Sequence, residues 1–290
     1  MRPIDLVRLV ALAAIWGASF MFQRRIAAPL GPFAVASGRI LVGGLALVAY
    51  LAARGRSPAW RRNGAHFVAI GLVNSAIPFT LFATAALYIP AAYSSLLNAT
   101  APVFGLAIGV AFLGERPGPS ALLGVVLGFT GIALATQAGP VELTMARQLS
   151  LLACLAAAAC YAVSGYYIKR RAAGIDPTEI AAASQIAGGL LLLPGVAIWP
   201  PAGPVDLEIA VWLAALGLVC SGLAYLLYFR LLADCGLANA LSVTFLIPVF
   251  GIFWGWLVLD ETVTETMLAG GALVVVGTSL IVRRPLPRPA

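Results

Sequence analysis

The chain repeats itself at a spacing of 146 residues. Residues 101–115 read APVFGLAIGVAFLGE, and residues 247–261 read IPVFGIFWGWLVLDE. Pro102, Gly105, Gly109 and Glu115 stand opposite Pro248, Gly251, Gly255 and Glu261. The register continues far beyond this stretch. Arg24-Arg25 fall opposite Arg170-Arg171, Ile40 and Gly43 opposite Ile186 and Gly189, Gly71 and Ser75 opposite Gly217 and Ser221, and Gly124 and Gly131 opposite Gly270 and Gly277. Only a small shift is needed around residues 29–32. One unit made twice is expected, as segments 1–140 and 141–290.

Each copy is too apolar to be covered by water. Of 290 residues, 61% are hydrophobic and 10% charged, where a soluble domain carries about a quarter charged residues. In a bilayer every backbone polar group must be paired internally, which leaves helices or closed barrels. The apolar runs are long and do not alternate, so they read as transmembrane helices and not as barrel strands. The sequence predicts an all-α integral membrane protein of ten spans, near residues 6–23, 33–53, 66–86, 91–113, 120–137, 149–168, 179–199, 209–231, 238–259 and 266–282. The first span has Arg2 and Arg8 ahead of an apolar run, as a cleaved leader does. Its place in the repeat makes it a retained span.

Five spans per copy is an odd number, so the second copy enters the membrane from the opposite face. The expected fold is two inverted five-helix repeats, an arrangement that supplies two mirrored conformations for alternating access. With the amino terminus inside, fourteen of the 18 Lys and Arg fall on the inner side and three, Arg24, Arg25 and Arg147, on the outer. The positive-inside rule then places both termini in the cytoplasm of a bacterial-type inner membrane. The net charge of +7 reports this orientation; with no aromatic-basic module, no nucleic-acid partner is expected. The partners expected are the lipid bilayer and a small-molecule substrate.

Prolines inside spans mark where the chemistry lies. Proline frees the carbonyl four residues back. Pro78, Pro102 and Pro248 free those of Asn74, Asn98 and Thr244, each beside a polar side chain of its own. Two readings stand: polar groups around a substrate, or local repair of a kinked helix. Trp16, Ser19 and Gln23 share one helix face at spacings of three and four, and Tyr161 and Ser164 give a similar face. With Tyr93, Tyr225 and Tyr228 they make an aromatic, weakly polar pocket, the kind that holds a ligand with an apolar body and a few polar handles. Against this stands the interfacial aromatic belt.

Arg39 is a cation within a span, about 9 Å from the outer end at 1.5 Å per residue. Such residues are costly and face the bundle interior. It is read either as a site for a substrate carboxylate or a shaper of the field in an outward cavity, or else as a side chain that snorkels to the outer headgroups or hydrogen-bonds a neighbouring helix, and Gln185 is its neutral repeat partner. Glu115 and Glu261 read first as structural carboxylates that accept from unpaired N–H groups before the last helix of each copy, and second as gates or proton carriers. No acid lies mid-span and no GxxxxGK[ST] loop is present, so neither carboxylate-based proton coupling nor ATP hydrolysis is expected. The GxxxG pairs Gly105/Gly109, Gly251/Gly255 and Gly124/Gly128 suit close packing within one chain, with a homodimer as the alternative. Cys154, Cys160, Cys220 and Cys235 lack metal or disulfide spacing, and His66 reads as a solvated loop residue. No metal or other cofactor, and no enzymatic activity, is expected.

Two stretches, ALYIPAAYSSLLNATAPVFGLAIGVAFLGERP (86–117) and YFRLLADCGLANALSVTFLIPVFGIFWGWLVLDET (228–262), resemble the repeated EamA unit of the drug/metabolite transporter superfamily. Arg39, in SGRILVGG, is similar to an arginine common in the second helix of that family. The resemblance covers essentially the whole chain. It implies a ten-helix basket around a central cavity that exports small metabolites. Within the superfamily the general likeness is to YddG-type exporters of aromatic and other amino acids, which makes amino acids the expected cargo. A multidrug exporter is the alternative within transporters, and a membrane-embedded lipid-modifying enzyme the alternative outside them.

Overall fold

The computed structural model describes residues 2–114, 116–137 and 144–282. They form helices α1 (Pro3–Ala52), α2 (Trp60–Ile70), α3 (Ile77–Ala85), α4 (Ala91–Asn98), α5 (Ala101–Leu113), α6 (Pro119–Gln137), α7 (Met145–Arg171), α8 (Pro177–Ile198), α9 (Leu207–Gly217), α10 (Ala224–Cys235), α11 (Leu237–Leu241), α12 (Val243–Leu259) and α13 (Glu265–Val282). One wide π-turn joins α2 to α3 at Gly71–Ala76, and another joins α9 to α10 at Leu218–Leu223. Among the described residues, nine continuous helical stretches are long and apolar enough to cross a membrane. The first, α1, holds one non-helical residue, Gly31 (φ 74°, ψ 158°), between Leu30 and Pro32. A left-handed φ is open to glycine, and proline at 32 disfavours helical geometry in the residue before it. The loop expected at 24–32 is therefore a single-residue corner, and Arg24 and Arg25 are helical.

The prolines act differently from expectation at two places. Pro102 does not kink a continuous helix. α4 ends at Asn98, and Pro102 sits in the first turn of α5, where its missing N–H costs nothing. Pro78 likewise lies in the first turn of α3, just after the first π-turn. The second π-turn starts one residue past the repeat equivalent of the first and has Ala224 where the first has Pro78. The prolines are thus not the common cause. What the two turns share is Gly71 and Ser75 against Gly217 and Ser221, at tight crossings. A Cβ at Gly71 would collide with the Ser184 carbonyl, and one at Gly217 would come 2.6 Å from Cβ of Val42. Pro248 does lie inside α12.

Packing runs mostly between the two sequence copies: α1 lies on α8, α12 and α9, α3 on α7, and α6 on α13. The α6–α13 crossing is close along its length. A Cβ at Gly124 would strike the Gly277 carbonyl, and a Cβ at Gly131 would come 2.5 Å from that of Gly270. Numbering rises along α6 as it falls along α13, so the two helices are antiparallel. Small residues permit this backbone contact in a lipid environment, where helices gain little from hydrophobic burial. Of the GxxxG pairs, Gly124 sits in this crossing, Gly251 is packed against Ser95, and Gly255 against the Glu261 carboxylate, all within the chain. Gly105 has nothing within reach of a Cβ.

Candidate functional site

A cavity of about 820 Å³ lies between α1, α3, α5, α7, α8, α10 and α12. It is lined by Trp16, Ser19, Arg39, Asn74, Asn98, Tyr161, Tyr225 and Thr244, with Pro102 beside Asn98. Eight of the residues read from sequence are thus brought to one space. Toward one end the lining runs to Phe20, Gln23 and Phe82; toward the other it reaches Ala172, Ile175 and Pro177 in the α7–α8 connection. The size suits a drug-sized or smaller ligand.

The wall is aromatic. Trp16 meets Tyr225 edge-on at 6.2 Å and Tyr228 at 5.6 Å. Phe82 lies edge-on to Phe20 at 5.3 Å and parallel to Tyr161 at 6.4 Å. Phe20, Gln23, Phe79, Phe82, Tyr228 and Phe229 also line the cavity, with aliphatic residues such as Ile70, Leu106 and Ile247 between them. The first span signalled Gln23 through its spacing from Trp16 and Ser19. Phe82 lies two helical turns beyond Asn74, so the face defined by Asn74 would have found it. Nothing in the sequence pointed to the α7–α8 connection as part of the wall.

Some of the polar groups are held by their own helices and others by neighbouring ones. Ser19 Oγ donates to the Trp16 carbonyl (2.7 Å) and Gln23 Nε2 to that of Ser19 (3.1 Å), while Gln23 Oε1 is buried without a partner. Thr244 Oγ1 donates to the Leu241 carbonyl (2.8 Å), which is local repair at the α11–α12 break, though not of the carbonyl freed by Pro248. Asn74 Nδ2 reaches the Tyr225 hydroxyl at 3.5 Å. Arg39, 5% exposed, donates from Nε to Ser221 Oγ at 2.9 Å, with its guanidinium carbon 3.9 Å from the centre of the Phe79 ring. It faces the interior and does not snorkel.

Three expected residues lie elsewhere. Tyr93 is buried in the core among Phe20, Leu96 and Cys154 and leaves its hydroxyl unpaired. Ser164 is 1% exposed with an unpaired Oγ. Gln185 donates to the Ser221 carbonyl (3.3 Å) behind Arg39. None of the three is among the residues that line the cavity. Pro78 and Pro248 are buried outside the lining.

Glu261 accepts from Ala91 N–H (2.8 Å) and Ala92 N–H (3.3 Å). The carboxylate therefore caps α4, not α13, the last helix of its own copy. Burial holds its carboxyl above the usual range, opposed by those two N–H bonds. Glu115 lies outside the described residues. His66 is in α2 and its Nδ1 pairs with the Tyr167 hydroxyl at 2.9 Å, so it is not a solvated loop residue. Cys154 and Cys220 are buried free thiols.

Long apolar helices around an aromatic cavity with a few fixed polar groups define a multi-pass membrane transporter. Residues 6–137 and 148–283 each match the model of the EamA-like transporter family, and the chain belongs to that family. It is 25% identical over 277 residues to the uncharacterized transporter YvbV of Bacillus subtilis, covering 94% of this chain and 90% of that one. It is 30% identical over 209 residues to a probable terminal-alkyne amino-acid exporter of Streptantibioticus cattleyicolor, covering 69% of this chain and 67% of that one. A solved crystal structure shares the fold with a TM-score of 0.70 at 18% identity, over 97% of this chain and 96% of that one.

Proposed function

We propose that the chain is a secondary transporter that exports small metabolites, amino acids among them, by alternating access. The observation that carries this is the cavity itself, walled by both sequence copies and lined by polar groups at helix breaks. We read the chain as ten spans, with α1 divided at Gly31, arranged as two inverted repeats over 1–140 and 141–290. The α6–α13 crossing supports that reading. Its two glycine contacts, 124 with 277 and 131 with 270, exchange when each residue is replaced by its partner 146 positions away. Contacts that map onto each other across an antiparallel pair are those of a two-fold axis lying in the membrane plane. The double match to one family model agrees.

With both termini inside an inner membrane, the α7–α8 connection is cytoplasmic, and the cavity that reaches it is in the inward-facing state. Amino acids are favoured as cargo because one relative, 30% identical, is named a probable terminal-alkyne amino-acid exporter. A multidrug exporter of cationic compounds is disfavoured, since no acidic side chain lines the cavity among the described residues.

Asn98→Ala and Thr244→Ala test the site. Both variants are expected to insert normally and to transport more slowly in a proteoliposome counterflow screen over amino acids, nucleosides and cationic dyes. Wild-type rates in both would remove these residues from the site. Transport is also expected to persist without a pH gradient, and its collapse on dissipating the gradient would overturn uncoupled export.

A further inference from the structure

The cavity carries one formal charge, and it is positive. Among the described residues that line it there is no Asp, Glu, Lys or His beside Arg39. No carboxylate in the described structure lies within ion-pair distance of that guanidinium. A guanidinium has five N–H donors, and Arg39 uses one, on Ser221. The Nε edge is bound to protein and one face is covered by Phe79. The terminal nitrogens have no acceptor among the described residues. A buried cation left in that condition is expensive, and a carboxylate is the ligand whose two oxygens match the donor fork.

We propose that the cavity selects organic monoanions, a carboxylate on an aromatic or comparably apolar body, with Arg39 as the counter-ion, and that an amine on the substrate is not required. The inference rests on the reading of this cavity as the transport site. The rest of the wall supplies what such a body needs: the ring faces and edges of Trp16, Phe82, Tyr161 and Tyr225. To an ammonium group it offers neutral partners alone, ring faces and the unpaired Gln23 Oε1, with no carboxylate in the described wall to offset Arg39. Cations are held by buried carboxylates or by open aromatic faces. The former are absent from the described wall, and Arg39 itself occupies Phe79 and repels a second cation. An amino acid therefore enters by its carboxylate, with its ammonium group a burden on binding.

Three ligands with the same ring and two-carbon chain separate the charges: 3-phenylpropanoate, phenylalanine and 2-phenylethylamine. Binding to the purified wild-type protein in detergent is read by quenching of tryptophan fluorescence. The anion is expected to bind at least tenfold more tightly than the amine, and no more weakly than the zwitterion. Arg39→Gln is expected to erase the difference between anion and amine, and Arg39→Lys to retain part of it. An amine that binds as well as the anion overturns the proposal, as does the absence of binding by all three. Should Arg39→Gln fail to fold, the wild-type order decides alone, with a second readout. Uptake of 3-phenylpropanoate into proteoliposomes should rise under an inside-positive potential set by valinomycin, and a rate blind to potential counts against the proposal. Counterflow of a neutral or cationic compound in the wider screen would leave the transport reading standing while sinking this one.

Discussion

Both ends of the cavity carry an exposed ion pair, Arg25–Glu208 at one and Arg56–Asp176 at the other, and they differ in what else ties the helices there. At the end marked by Gln23, Phe82 packs on Phe20, Arg24 donates to the Ala86 carbonyl, and Glu261 caps the start of α4. Two of these contacts tie a charged side chain to main-chain groups at a helix end, where the groups are otherwise orphaned. At the other end the ties are ion pairs between side chains. Arg56 reaches Asp176 (3.1 Å) and Glu179 (3.4 Å), and Arg2 and Arg8 converge on Asp5 and Asp234. Main-chain bonds fix a helix end in one place, whereas long side chains keep their partners over several positions. On the proposed reading of an inward-facing cavity, the first end serves as the closed gate and the second as the rim of the opening.

The largest effect on this contrast is expected from Phe82→Ala. The ring is 2% exposed and touches both Phe20 and Tyr161. Removing a buried aromatic costs about 3–5 kcal/mol, at the lower end here because lipid or cavity space, not water alone, receives the lost surface. A thermal unfolding shift should accompany faster thiol labelling of a reporter cysteine placed at Gln23. Slower or unchanged labelling would show that the aromatic contact does not close this end.

Glu261→Ala comes next. It leaves the N–H groups of Ala91 and Ala92 unpaired, a loss of about 1–3 kcal/mol, and each 1.4 kcal/mol is tenfold in population. Labelling at the Gln23 reporter should rise about tenfold or more, with the α4 amides exchanging faster. The same residue predicts a pH dependence. Its carboxyl is raised by burial above the ordinary value of 4.5. The closed form therefore binds the proton more tightly than an open, solvated one. Closure is most favoured below that ordinary value and weakens as pH rises through the window above it, up to the raised value. Labelling should increase from acid to neutral pH, and Glu261→Gln should abolish the trend. This is a response to absolute pH on one side, distinct from a need for a gradient.

The gate was only partly legible beforehand. The matched glutamates announced helix capping, but sequence proximity suggested the following helix, and the actual partner lies 170 residues away. The cavity was read better. Trp16, Ser19, Arg39, Asn98 and Thr244 are polar or amphipathic residues in apolar runs, and such residues signal the interior whichever way the helix turns. Tyr93 and Ser164 carried the same signal and are buried off the cavity wall. In a bilayer both the lipid-facing and the core-facing sides of a helix are apolar, so composition marks depth and leaves rotation about the helix axis open. Helix breaks were misread for a related reason. Pro102 was recognised, but one proline fits equally the middle of a kinked helix or the first turn of a new one.

The smallest effect is expected from Arg25→Ala, on the surface of the closed end. Its pair with Glu208 is short at 2.8 Å, yet the side chains are 53% and 59% exposed, and such pairs contribute about 0–1 kcal/mol. Glu208 has other work: it lies in the first turn of α9 and accepts from Trp212 Nε1 at 3.3 Å. Glu208→Ala should therefore destabilise more than Arg25→Ala, with a coupling under about 1 kcal/mol in the double-mutant cycle. Salt sharpens the comparison between the ends. Raising ionic strength screens exposed ion pairs, so it should loosen the Arg56–Asp176 rim while leaving the Gln23 reporter unchanged. If salt opens the Gln23 end as much as the rim, then Arg25–Glu208, and not Glu261 and Phe82, holds the gate.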